Sequence, residues 1–153
     1  MANIRKLEFA DNRQALELLQ LQLGAYRAEA RLTGIHEPPL LAESITTLRQ
    51  SKETFYGYFE EERLVGAVSF LVEGDVVTIC RLMVDERLSR RGIASALLEA
   101  IQELVPGTRQ WRVIAAARNA PALNLYRKIG FLEQSRQQLA PNLELITLTK
   151  VEL

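Results

Sequence analysis

In the stretch Ser89-Arg90-Arg91-Gly92-Ile93-Ala94-Ser95, two arginines precede a glycine and the start of an apolar-periodic helix, which is the composition of an anion site. N–H groups at a helix start lack intrahelical acceptors and sit at the positive end of the helix dipole. A turn that admits a ligand closely can therefore hold a diphosphate there. Gly92 admits it, and Arg90 and Arg91 add charge and forked donors that match phosphate oxygens. Taken alone, the same residues also describe a solvated helix start. A second stretch, Asn119-Ala120-Pro121-Ala122-Leu123-Asn124-Leu125-Tyr126-Arg127-Lys128-Ile129-Gly130-Phe131, offers an N-cap in Asn119, a tyrosine on an apolar helix stripe and a glycine stop.

These groups need a frame, and the flanking sequence supplies one. Val76 to Val84, rich in Val, Ile and Leu, reads as a strand leading into the arginine-glycine turn. Residues 55–59 and 64–72, joined by Glu60-Glu61-Glu62-Arg63, read as a hairpin before it, so the three strands make an antiparallel meander. Ahead of them, 4–9 predicts an edge strand, and Asp11 or Asn12 caps a long helix to about Arg31. Its expected buried stripe is Leu16, Leu19, Leu23, Tyr26 and Ala30, widened by Leu18, Leu21 and Ala25. Thr33-Gly34-Ile35-His36-Glu37-Pro38-Pro39 is loop chemistry, and 40–48 predicts a shorter helix.

Behind the turn, Ile93, Leu97, Leu98, Ile101, Leu104 and Val105 mark a helix ended by Pro106-Gly107. Gln110 to Ala116 predicts a strand, 120–129 a helix, and 131–137 and 143–151 two closing strands. The expected fold is α/β, with a mixed, largely antiparallel central sheet and helices on both faces. One local parallel pair is expected across the strand-helix-strand unit around Gly92.

With 153 residues, 48% hydrophobic and 25% charged, the chain predicts one domain over 1–153. Lys+Arg 19 balances Asp+Glu 19, so no whole-protein field draws it to nucleic acid or an anionic membrane. No apolar run is long enough to span a bilayer, and neither nucleic acid nor membrane is an expected partner. Cys80 alone can form neither an intrachain disulfide nor a cysteine cluster, and His36 has no second histidine, so a metal-free cytoplasmic protein is expected. Cys80 reads as a small buried residue and Glu60-Glu61-Glu62 as a solvated turn. The cluster Arg81, Arg87, Arg90 and Arg91 lacks the module that would make it a nucleic-acid patch.

The two stretches together resemble the GNAT superfamily of N-acetyltransferases, and the likeness in element order covers nearly the whole chain. The family's pyrophosphate signature is Gln or Arg, two variable positions, Gly, one variable position, then Gly or Ala. It falls on Ser89, Arg90-Arg91, Gly92, Ile93 and Ala94, with Ser89 replacing the long polar residue. The second signature matches Asn119, Leu125-Tyr126, Arg127-Lys128, Ile129 and Gly130-Phe131.

The resemblance implies a GNAT-like acyl-CoA-binding fold that takes acetyl-CoA (coenzyme A) as cosubstrate and acetylates an amine acceptor, a small molecule or a protein amine. It assigns the backbone of Leu82, Met83 and Val84 to the pantetheine arm, and Arg90, Arg91, Gly92, Ile93, Ala94 and Ser95 to the pyrophosphate. Asn119 falls near the pantetheine or its neighbouring phosphate region, and Tyr126 near the thioester sulfur as catalytic acid. A fixed strand N–H aimed at the carbonyl oxygen would stabilise the charge that develops there, and a phenol can protonate the departing thiolate at neutral pH.

Many relatives carry a base on the strands corresponding to Val76 to Val84 and Gln110 to Ala116, where this chain has no carboxylate. Glu29, His36, Glu37 or ordered water remain as candidates. The acceptor wall is expected from the first two helices, their loop and the hairpin near Tyr56. A non-catalytic acyl-CoA-binding regulatory module and an interaction domain of the same fold are the competing readings, and exposed sheet edges leave a homodimer open.

Overall fold

Residues 3–34, 43–88 and 91–152 are described by a computed structural model. Strands β1 (Asn3–Lys6), β2 (Thr54–Glu60), β3 (Arg63–Glu73), β4 (Val76–Val84), β5 (Gln110–Ala116), β6 (Leu132–Ala140) and β7 (Leu143–Val151) form a seven-stranded sheet in the order β1-β2-β3-β4-β5-β7-β6. Neighbours are antiparallel except β4 and β5, which run parallel as the crossover between them requires. β7 lies between β5 and β6, an arrangement that sequence order alone does not reveal.

Helices α1 (Asn12–Thr33) and α2 (Ile45–Gln50) cover one face, while α3 (Ile93–Leu104) and α4 (Ala120–Lys128) cover the other. Phe70, Val77, Ile79, Trp111, Val113, Ile146 and Leu148 meet Ile93, Leu97, Leu98 and Ile101 beneath α3 and Leu123 and Tyr126 beneath α4. The opposite core joins Ala15, Leu18 and Leu21 of α1 to Leu48, Phe55, Phe59, Ala67 and Met83. No described helix is long and apolar enough to cross a membrane.

Asp11 caps α1 by accepting from the Arg13 N–H, and Gly34, at φ 76°, ends it in the left-handed conformation that glycine tolerates. The buried stripe differs from the one expected. Leu18 and Leu21 are buried as expected, but Leu16 and Leu23 face solvent and Ala15 and Gln22 are buried in their place, so the helix is rotated toward a less apolar face. The last two turns of α1 border an open cleft and not a closed core, through Tyr26, Glu29 and Thr33. α2 begins at Ile45, where Ser44 and Thr47 form a capping box, and residues 40–42 of the expected helix lie outside the described ones.

Gly66 sets the height of α3 over the sheet. A Cβ there would stand 2.7 Å from Ile93 Cγ2 and 3.3 Å from Leu97 Cδ1, so only a bare backbone lets the first turn of α3 seat so closely. Gly66→Val is expected to destabilise the protein by about 1 to 3 kcal/mol through overpacking, measured as a lower denaturant midpoint with an unchanged slope.

Candidate functional site

β4 and β5 pair only from Val76↔Gln110 to Ile79↔Val113, and beyond that the two strands diverge. A bulge begins the divergence: Ser69 faces Arg81 and Phe70 faces Ile79, which leaves Cys80 as an extra residue on β4. A bulge bends its strand and increases local twist, so the C-terminal half of β4 swings away from β5. The gap becomes a cavity of about 520 Å3 that passes through the sheet, within the range of small-molecule sites. Tyr26, Glu29 and Thr33 of α1 border it on one face, and Asn119, Ala122 and Tyr126 on the other.

The divergence leaves backbone groups of β4 without a sheet partner. The Asp85 N–H donates to the Val65 carbonyl at 2.8 Å on the β3 side. Alternation along the strand therefore aims the N–H and C=O of Val84 and Leu82 the other way, into the gap, and those of Met83 toward β3. Among the residues expected to meet the pantetheine, Leu82 and Val84 thus present open polar edges, while Met83 buries its side chain under α1.

At one end of this edge stands the glycine turn. Gly92 is the N-cap of α3 at φ 79°, a value that favours glycine, and makes no side-chain cap bond. The first intrahelical bond there runs from the Ala96 N–H to the Gly92 carbonyl, so the N–H groups of Ile93, Ala94 and Ser95 have no partner within the helix. Among the described residues, a Cβ on Gly92 would meet nothing within 4 Å. Arg91 is half exposed and lies 3.4 Å from Glu60. Ser89 and Arg90 lie outside the described residues, as do His36 and Glu37.

At the other end, Asn119 caps α4 by accepting from the Ala122 N–H at 3.3 Å and also lines the cavity. Tyr126 is 5% exposed, its ring held edge-on to Phe131 with centroids 5.7 Å apart. Burial, with the nearby Glu29 charge, raises its phenol well above the ordinary range, so it stays protonated. Tyr26 is likewise pushed up to about 12, chiefly by burial. Cys80 is exposed and not buried as expected, because the bulge turns it out of the sheet. Although the residue as a whole is exposed, loss of water around the sulfur, followed by the nearby Glu53 charge, pushes its thiol up to about 11, which leaves it a poor nucleophile at neutral pH.

Beside the bulge, Arg81 donates to Glu53 through Nε (3.0 Å) and Nη2 (2.9 Å), to Gln22 of α1 at 2.8 Å and to Glu43. Its side chain is 10% exposed, and those of Glu43 and Glu53 are 8% and 16% exposed. Arg81 is therefore no part of a surface patch, and Arg87 is taken up by Asp85 at 2.8 Å. Composition hides this cluster, yet Gln22 on a core-facing turn of α1 was a readable sign of a buried polar partner. Tyr56 was expected at the acceptor wall, but it stacks on Phe70 with centroids 6.2 Å apart, on the α3 side. Leu139, Leu143 and Leu145 of β6 and β7 line the cavity instead.

Burial alone would raise Glu53, but hydrogen bonds from Arg81 and Ser69 and the Arg81 charge outweigh it and lower its pKa. A carboxyl lowered in the folded state contributes stability that is complete above its unfolded pKa and lost as pH falls through the folded value. Glu53→Gln should therefore melt below wild type at pH 7, and the gap should narrow as pH drops below about 4.5. A gap independent of pH in thermal melts would contradict this.

The Acetyltransferase (GNAT) family model matches residues 13–131, and the chain belongs to that family. It is 32% identical over 140 residues to the UPF0157 protein YqkA of Bacillus subtilis (strain 168), covering 90% of this chain but only 41% of that protein. Solved N-acetyltransferase structures share the fold. The PaiA N-acetyltransferase from Thermoplasma acidophilum, in complex with coenzyme A, aligns with TM-score 0.80 and 17% identity over 99% of each chain. The ribosomal-protein-S18-alanine N-acetyltransferase from Escherichia coli aligns with TM-score 0.78 and 19% identity over 99% of this chain and 94% of its own.

Proposed function

We propose that the chain is an acetyl-CoA-dependent N-acetyltransferase of the cytoplasm that passes acetyl to a primary amine by direct attack in a ternary complex. The observation that carries this reading is the open inner edge of β4, which runs between the Gly92 turn and the cavity that Tyr126 lines. When bound, acetyl-CoA supplies a thioester carbonyl activated toward amines. The exposed N–H and C=O groups of Leu82 and Val84 suit the amide-bearing pantetheine arm, as one strand edge suits another, with Met83 keeping their register on β3.

The N–H groups of Ile93, Ala94 and Ser95 at the Gly92 turn fit a pyrophosphate, with Arg91 beside them and Arg90 assigned to the same turn from sequence. Asn119 holds the start of α4 in place and offers its amide to the pantetheine. The Leu82 N–H is aimed to receive the charge that develops on the carbonyl oxygen, an effect of about 3 kcal/mol for one such donor. The Tyr126 phenol, kept protonated by its burial, gives its proton to the departing sulfur.

Excess acetyl-CoA should raise the melting temperature of the purified chain. Saturation at about 100 times the dissociation constant stabilises by roughly 2.7 kcal/mol, or roughly 5 to 10 °C at this size. No rise with intact acetyl-CoA would sink the reading, and a rise without turnover of any amine would favour a non-catalytic acyl-CoA-binding module.

A further inference from the structure

We propose that the acceptor is a small primary amine carried on an apolar body, with its ammonium at Glu29 and its body on Ile114, Leu139, Leu143 and Leu145. This rests on the acetyltransferase reading above. It comes from the way the cavity opens on the α1 face of the sheet. Ala116 and Leu145 are directly opposed across β5 and β7, and Ile114 and Leu143 lie two residues from them, so all four share one face. Ile146 and Leu148 point the other way, into the core beneath α3 and α4.

The core beneath α1 and α2 takes no residue from β5, β6 or β7 among the described residues. Ile114 and Leu139 are accordingly 51% and 52% exposed, next to a cavity that all four apolar residues line. The last turns of α1 form the opposite wall, held to the rim by the Arg118 guanidinium, which donates to the Thr33 carbonyl at 3.3 Å.

Charge decides what kind of body fits. Arg81 is engaged by both Glu43 and Glu53, so neither its charge nor theirs is free at the mouth. Glu29 makes no ion pair among the described residues and borders the cavity from α1. The residue as a whole is exposed, but the cavity wall takes water from its carboxyl and pushes it above the ordinary range, which makes it a better proton acceptor than a fully hydrated carboxylate. One anion facing an apolar wall complements one ammonium on an apolar stem. A polycation would place its second charge over Ile114 and the leucines, where no described carboxylate is free to meet it.

The proton balance closes with these groups. The Glu29 carboxylate takes one proton from the ammonium, and the neutral nitrogen bonds to the thioester carbonyl carbon. The C–S bond then breaks, the sulfur takes the Tyr126 proton, and the remaining surplus proton on nitrogen restores the phenol. Glu29 afterwards releases its proton to solvent. The products are the amide, free coenzyme A and one proton.

The test measures kcat and KM with acetyl-CoA for 2-phenylethylamine, spermidine and a peptide with a free N-terminal alanine, in wild type, Ile114→Asp and Glu29→Gln. Phenylethylamine should be preferred in kcat/KM by about tenfold or more. Ile114→Asp should raise its KM about tenfold and shift preference toward spermidine, while Glu29→Gln should lower kcat by about 10²-fold with acetyl-CoA affinity retained. Preference for spermidine or the peptide in wild type, or an unchanged kcat in Glu29→Gln, overturns the proposal. So does an Ile114→Asp chain that changes its sedimentation but not its KM, which would make this face a contact between two copies. Turnover of none of the three amines, with acetyl-CoA still raising the melting temperature, overturns this inference and leaves the cofactor reading intact. The absence of that rise marks failure of the acetyltransferase reading itself.

Discussion

Tyr126→Phe is expected to lower kcat by about 10² to 10⁴-fold while acetyl-CoA affinity stays within a few-fold. The substitution removes one oxygen and leaves the ring, which is 5% exposed and packed edge-on against Phe131, so α4 should keep its position. In the proposed mechanism, what is lost is the group that protonates the departing thiolate in the cavity that Tyr126 lines. Burial first, and then the Glu29 charge, keep that proton on the phenol through neutral pH and well into the alkaline range. No fall in wild-type rate below about pH 10 should therefore trace to Tyr126. Coenzyme A release under saturating acetyl-CoA and amine measures kcat, and ligand-dependent melting measures affinity. An unchanged kcat in the Phe variant would remove Tyr126 from the chemistry and return it to a packing role.

Arg81→Met should cost about 3 to 5 kcal/mol of stability, a fall in melting temperature of roughly 6 to 20 °C for a chain of this length. The guanidinium holds two carboxylates and the Gln22 side-chain oxygen, all on side chains little exposed to solvent. Removing it strands Glu43 and Glu53 as unpaired anions in a poorly hydrated site, where their desolvation goes uncompensated. The cost therefore belongs mostly to the stranded charges, and adding Glu43→Gln and Glu53→Gln to Arg81→Met should recover part of the lost stability. A lysine cannot replace the arginine, since one ammonium does not reach three acceptors in the geometry of a planar fork. The cluster also joins α1 and Glu43 to β4 at the residue after the bulge, so its loss should loosen the strand edge presented by Leu82. Loss of under 1 kcal/mol would show that the fold and the cleft stand without the pair.

The elements themselves were largely legible because their signals are local. Val76–Val84 and Gln110–Ala116 form strands over the residues that their β-branched and apolar runs indicate, and α3 begins at Ile93 behind a glycine that holds a left-handed φ. The resemblance to the family rested on two short motifs, the glycine turn and the run from Asn119 to Phe131, each read from residues close along the chain. Periodicity misled at α1, because its leucines recur at helical spacing on more than one face, and the face that packs runs through Ala15 and Gln22 and leaves Leu16 and Leu23 in solvent. Cys80 misled for a related reason, since a bulge moves one residue out of alternation and nothing in the local composition announces it.

The sequence by itself determined the type and order of the elements, the glycine turn that opens α3 and the tyrosine on the inner stripe of α4, because each depends on neighbours close along the chain. Only the tertiary structure decided what lies across from what. Glu29 comes to face Ile114 and Leu143, Arg81 comes to gather Glu43 and Glu53, and β4 comes to leave β5 beyond Ile79. Those arrangements depend on strand order, on one inserted residue in β4 and on the rotation of one helix. They are settled by packing between segments far apart in the chain, which composition and spacing do not encode locally.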